Sequence, residues 1–183
     1  MKNIKLITCT ISLFSALNAY GSSFEEYITE QANKAENNSF LVEDILGNPT
    51  LESAAQSGDV RAQFELGVIQ FSSDGKSGTQ WLEKAAAQGH VEAQYLMGGI
   101  YLEGKALPRD IKKSFEYFDN CSALGNRKCN FYIGKLYENG FGITKPNKVI
   151  ANWFYEDAAN SGDNRAIEHL CKNTKGTCKY EYR

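Results

Sequence analysis

The sequence predicts an all-α protein built as a solenoid of antiparallel helix pairs. Three observations predict it: a glycine-turn unit that recurs along the chain, small residues at fixed offsets on both sides of each turn, and Ala-rich runs with only three prolines in 183 residues. The length is that of one domain with a real core, and 42% hydrophobic with 23% charged residues is ordinary for a globular chain. A net charge of −2 advertises no nucleic-acid surface.

The units align as "AAQSGDVRAQFELGVIQF" from Ala54, "AAAQGHVEAQYLMGGIYLEG" from Ala85, "CSALGNRKCNFYIGKLYENG" from Cys121 and a weaker "AANSGDNRAIEHLC" from Ala158. Their turn glycines, Gly58, Gly89, Gly125 and Gly162, are spaced 31, 36 and 37 residues apart. Small residues four before and four after the turn (Ala54/Ala62, Ala85/Ala93, Ala158/Ala166) let two antiparallel helices approach closely. Each turn glycine is suited to end the first helix in the left-handed conformation. Asp59, Asn126 and Asp163 are natural N-caps for the second helix, and His90 is a poorer one. Gly67, Gly98 and Gly134 fall mid-helix, where glycine costs about 1 kcal/mol against alanine, so their recurrence points to close packing against a neighbouring helix. Phe64, Leu66, Tyr95, Met97, Tyr132 and Leu136 are expected in the core, and the periodic Trp81, Tyr117 and Phe154 are expected to pack there too.

The second-helix motif "AQYLMGGIYLEG", the loop "GKALPRDIKKSFEYF" from Gly104, "GFGITKPNKVIANWFYEDAA" from Gly140 and "WLEKAAAQG" from Trp81 together resemble the Sel-one-like repeat (SLR) family, relatives of the tetratricopeptide repeats. The resemblance covers about residues 48 to 173 and implies a right-handed α/α solenoid of three to four helix pairs. Two departures stand out. The loop between the first two units is cut to "SSDGKSG", and Cys171 replaces the mid-helix glycine of the last copy. Residues 22–47 match no unit and are expected to form capping helices, since end repeats need an atypical outer face.

Residues 1–21 have a basic start at Lys2 and Lys5, an apolar run from Leu6 to Leu17 and small residues at Ala19 and Gly21. That is the shape of a secretory signal peptide, cleaved near Ala19 or Gly21, and it is too short for a permanent membrane span. Its removal takes two lysines and no acids, which moves the net charge from −2 to −4. The expected location is the periplasm or the exterior.

Cys121 and Cys129 take the two small positions that carry alanine in other units. A close Ala–Ala contact suits the short Cα separation of a disulfide, and an exported chain meets the oxidant. The second pair, Cys171 and Cys178, would tie the last helix to the tail 174–183. The four cysteines that remain after removal of residues 1–21 allow three connectivities, of which this is the most local. Such spacing also resembles cysteine-rich SLR proteins secreted by bacteria, although only one full unit carries the pair. Zinc would want CxxC pairs or nearby histidines, and His169 is isolated. A nucleophilic thiol would want a placed histidine. No metal and no cofactor are expected.

One further pattern bears on chemistry, because the resemblance to cysteine-rich SLR proteins implies penicillin binding or β-lactamase activity as one alternative. Ser73–Lys76 fits S-x-x-K, with "SGDN" at Ser161 as a loose second serine motif. A serine β-lactamase needs that serine at a helix N-terminus with the lysine one turn on, whereas here the match lies in the shortened loop. No catalytic residue is assigned. The favoured expectation is a monomeric binding module whose partner is a protein, with polar residues on the first helix of each pair facing it: Gln80, Lys84, Lys113, Glu116, Asn152 and Glu156. The resemblance implies an adaptor or scaffold. It also admits a periplasmic immunity protein that masks a secreted antibacterial toxin.

Overall fold

The computed structural model describes residues 30–34, 50–140, 145–172 and 180. The expected signal segment 1–21, most of the expected caps 22–47 and Cys178 lie outside the described residues. Among the described residues from Thr50 on, eight helices follow one another: α1 (Thr50–Ser57), α2 (Val60–Ser73), α3 (Gly75–Ala87), α4 (Val91–Glu103), α5 (Ile111–Ala123), α6 (Lys128–Asn139), α7 (Lys148–Asn160) and α8 (Asn164–Lys172). They pair as α1/α2, α3/α4, α5/α6 and α7/α8, and the principal packing is between helices adjacent in sequence. No strand occurs among the described residues. The chain is an α/α solenoid.

Each hairpin turn is built alike. The four turn glycines have φ of 102°, 86°, 96° and 85°, a region that side-chain-bearing residues rarely enter. In the first turn Gly58 N donates to Ala55 O at 3.2 Å and Asp59 N to Ala54 O at 3.0 Å. The same two bonds recur from Gly89 and His90, from Gly125 and Asn126, and from Gly162 and Asp163. This is the Schellman closure, which satisfies the orphan carbonyls at the end of the first helix. Asp59 then caps α2 by accepting from Ala62 N at 2.8 Å, and Asp163 accepts from Arg165 N at 3.0 Å. His90 caps α4 through Nδ1, which accepts from Ala93 N at 3.3 Å. Asn126 departs from expectation. Its side chain accepts from Lys128 N at 3.2 Å, but α6 starts only at Lys128 with Arg127 as a cap that makes no side-chain bond. Buried amides cross the first two hairpins: Gln63 Nε2 donates to Ala55 O at 3.1 Å and Gln94 Nε2 to Ala86 O at 3.2 Å.

The mid-helix glycines explain how one pair joins the next. A Cβ on Gly67, Gly98 or Gly134 would lie 2.9, 2.7 or 2.8 Å from Leu82, Phe118 or Tyr155, each on the first helix of the following pair. Those three side chains are fully buried. One turn earlier on the same helices stand Gly78, Ser114 and Ala151, all buried, and Ser114 Oγ donates to Gly98 O at 2.8 Å. Each joint therefore has a small residue meeting a small residue, with one large side chain laid over bare backbone. Trp81, Tyr117 and Phe154 sit one residue before the buried trio and are only half-buried. A single residue turns the helix by about 100°, so the glycine slot receives the neighbour. Tyr117 and Phe154 instead stack on Tyr101 and Tyr137 of the preceding helix, with centroids 5.8 and 5.7 Å apart.

The junction between α2 and α3 is tighter than the sequence suggests. Asp74 alone separates the helices, and its carboxylate accepts from Lys76 N at 3.2 Å and from Ser77 Oγ at 2.5 Å. What the sequence presents as a glycine-rich loop is mostly helix, because one aspartate serves both as the end of α2 and as the cap of α3.

Cys121 and Cys129 are disulfide-bonded, with Cα atoms 6.2 Å apart and both residues fully buried. They join α5 to α6 at the positions that alanines hold in the other pairs. Cys171, near the end of α8, is also disulfide-bonded. Tyr180 packs on the small cluster of Ala158, Ala159, Ala166 and Ile167 between α7 and α8.

Candidate interaction surface

Gln80 and Lys84 lie on α3, Lys113 and Glu116 on α5, and Asn152 and Glu156 on α7, and all six are exposed. Lys84 contacts its own helix, and Lys113 reaches back to the preceding pair. Lys84 Nζ sits 3.9 Å from the Trp81 ring centroid, and Lys113 Nζ donates to Tyr101 Oη at 3.3 Å. The Tyr101 hydroxyl donates to Glu83 at 2.7 Å; burial first, then that carboxylate, pushes its pKa up to about 12. The six do not converge on one point. They form a ridge along successive first helices.

Counting back from the turn glycine gives the ridge its register. Gln80 and Glu116 lie nine residues before Gly89 and Gly125, and the equivalent position before Gly162 is Trp153, with Asn152 one step off. Trp153 is 60% exposed, an unusual state for the largest side chain. In the sequence its neighbour Phe154 carries the aromatic periodicity, so Trp153 has no repeat signal of its own.

On the second helices a different cluster forms. Arg165 of α8 makes a two-pronged contact with Asp163, Nε to Oδ1 at 3.0 Å and Nη2 to Oδ2 at 2.5 Å. Its Nη1 reaches Tyr132 Oη at 2.7 Å and Tyr95 Oη at 3.2 Å, and the guanidinium lies 4.8 Å over Phe131. Burial works against this charge, but Asp163 and the two tyrosine oxygens outweigh it, holding the guanidinium pKa above its ordinary value. One side chain thus links three of the four pairs. No motif announced it, since its partners lie 33 and 70 residues away.

A cleft of about 570 Å³ opens where helical residues 30–34 meet α2 and the starts of α4 and α6. Glu30 and Lys34 face Arg61, Phe64, His90 and Lys128 across it. His90 stacks on Phe64 with centroids 4.3 Å apart, and burial lowers its pKa despite the pull of Glu92 and Glu65. The lining mixes both signs of charge without a converging set of donors or acceptors.

The S-x-x-K match does not assemble a serine site. Ser73 is the last residue of α2 and Lys76 belongs to the first turn of α3, so the two stand on different helices and both are exposed. Among the described residues, no group of three or more His, Cys, Asp or Glu side chains could hold a metal ion. No helix among them is long and apolar enough to cross a membrane.

Comparison with known proteins agrees with this geometry. Residues 51–136 match the family model described as plant tetratrico peptide repeats, and residues 127–163 match the Sel1 repeat. Over 54 residues the chain is 41% identical to the alginate biosynthesis protein AlgK of Azotobacter vinelandii, a span covering 29% of this chain and 12% of that protein. A protective antigen of uropathogenic Escherichia coli with an SLR fold superposes with a TM-score of 0.67 at 25% identity, over 81% of this chain and 33% of the antigen. The Sel1 repeat protein of Oxalobacter formigenes superposes with a TM-score of 0.59 at 34% identity, over 67% of this chain and 95% of that structure. With the turn glycines, the bare-backbone joints and this near-complete match in agreement, the chain belongs to the Sel1-repeat family.

Proposed function

We propose that this protein is an exported adaptor that binds a protein partner along the exposed ridge of α3, α5 and α7. The observation that carries the reading is the ridge itself. Gln80, Lys84, Lys113, Glu116, Asn152 and Glu156 stand exposed on successive first helices while the second helices hold the Arg165 cluster. A solenoid offers such a surface at fixed spacing without moving parts. Export is supported by the disulfide state of Cys121, Cys129 and Cys171, which an oxidising compartment sustains, and by the signal-like residues 1–21. In this reading the protein is a monomer in the periplasm or outside the cell and works without a cofactor.

The test is affinity isolation from an envelope extract, using mature oxidised protein as bait. One stoichiometric protein partner is expected, and a secreted toxin as that partner would make the adaptor an immunity protein. No partner, or free thiols at Cys121 and Cys129 in correctly exported material, would overturn the proposal.

A further inference from the structure

Beside Asn152 and Glu156, the α7 step of the ridge carries apolar side chains at positions that are polar in the other two steps. At thirteen, twelve and nine residues before the turn glycine, α3 carries Lys76, Ser77 and Gln80, and α5 carries Lys112, Lys113 and Glu116. At the same positions α7 carries Val149, Ile150 and Trp153. They are 82%, 38% and 60% exposed. A lone exposed apolar side chain is ordinary, but three on adjoining turns, at positions the fold leaves polar elsewhere, form a surface that folding does not require.

The charge at the N-terminal edge of this patch is of one sign, while Glu156 lies on its C-terminal side. Lys145 and Lys148 are exposed at its leading edge, and Lys112 and Lys113 hold the matching edge of α5. Neither α5 nor α7 has an acidic residue in its first turn. Lysine there opposes the helix dipole, which favours acids at that end, so these lysines reduce local stability. A tryptophan anchor flanked by unfavourably placed cations suits an acidic amphipathic segment, the apolar face on Trp153 and Val149 and the carboxylates on the lysines. A lipid surface suits the patch less well, because Glu156 on the next turn of the exposed face would meet a continuous anionic surface, whereas a peptide helix can place a neutral or basic residue opposite it. A symmetric contact with a second copy would bring the lysine edges together.

We infer that Val149, Ile150 and Trp153, with Lys145 and Lys148, form the docking site for an acidic amphipathic helix of the partner protein. This deepens the adaptor reading and rests on it.

The test is a titration of the oxidised full-length mature protein carrying Trp81→Phe, so that emission reports Trp153 alone. The probes are a synthetic amphipathic Leu/Glu helix, its Leu/Lys counterpart and phosphatidylglycerol vesicles. The net negative charge of the chain favours the Leu/Lys helix, so a preference for the Leu/Glu helix reports the local lysines. The expected result is a saturable blue shift with the Leu/Glu helix, weakened by salt. Binding followed on the labelled peptide should fall roughly thirtyfold in Trp153→Ala and severalfold in Lys148→Glu, whose exposed positions spare the fold. Equal or stronger binding of the Leu/Lys helix, a shift with vesicles alone, self-association of the protein, or no shift with any probe would each overturn the inference. A partner isolated from the envelope that Trp153→Ala still retains would leave the adaptor reading standing and remove this one.

Discussion

Phe118 lays its ring over the bare backbone of Gly98, where a Cβ would come within 2.7 Å of the ring. The same relation joins Tyr155 to Gly134 and Leu82 to Gly67, so one kind of contact joins each pair to the next. Gly98→Ala sets a helix-propensity gain of about 1 kcal/mol against overpacking of about 1–3 kcal/mol. Phe118 is fully buried and stacked on Tyr132 at 4.9 Å, so it has little room to yield. The variant is expected to lose roughly 1–2 kcal/mol in urea unfolding, the reverse of what glycine-to-alanine does in an open helix.

The Cys121–Cys129 bridge occupies positions that alanine fills in neighbouring units, so Cys121→Ala/Cys129→Ala keeps the backbone geometry and loses the cross-link. Closing so short a loop contributes about 2.5 kcal/mol on the chain-entropy model. The double variant should fold with an unchanged circular-dichroism spectrum and melt roughly 5–10 °C lower. Reductant should lower the wild-type melting temperature further than that of the variant.

Arg165 ties α8 to Tyr95 and Tyr132 and neutralises the buried Asp163. Arg165→Met keeps much of the packing over Phe131 but leaves the carboxylate without its cation, at a cost of roughly 2–3 kcal/mol. Hydrogen exchange should show the loosening first in α8, the helix that Arg165 anchors to Tyr95 and Tyr132.

His90 caps α4 only while Nδ1 is unprotonated, and burial lowers its pKa from the ordinary histidine value of 6.5. Glu92 and Glu65 pull the other way and are outweighed. The stabilisation is therefore fully present above about pH 6.5 and is lost as pH falls through the lowered folded value. Against His90→Asn, which caps at any pH, the wild type should lose about 1 kcal/mol between pH 8 and pH 5 in parallel thermal melts.

Much of the fold was legible because repetition amplifies weak signals. Gly58 alone is a turn, but four glycines with alanines at matched offsets describe a helix pair and its mate. The mid-helix glycines announced close packing, and the structure supplies the occupants Leu82, Phe118 and Tyr155. Two local features misled. The periodic Trp81, Tyr117 and Phe154 drew attention from the neighbours one step on that are buried, and the glycines after Asp74 masked a single-residue junction between helices. The Arg165 cluster was illegible because its partners are brought close only by the stacking of pairs. Trp153 became conspicuous once exposure was known, since apolar periodicity alone does not separate a buried tryptophan from an exposed one.

The adaptor reading is tested most directly by hydrogen-exchange mass spectrometry of the isolated complex against the free protein. The account predicts slowed exchange in α3, α5 and α7, strongest in α7, with α4, α6 and α8 unchanged. Protection confined to α4, α6 and α8, or to the cleft between residues 30–34 and His90, would contradict it.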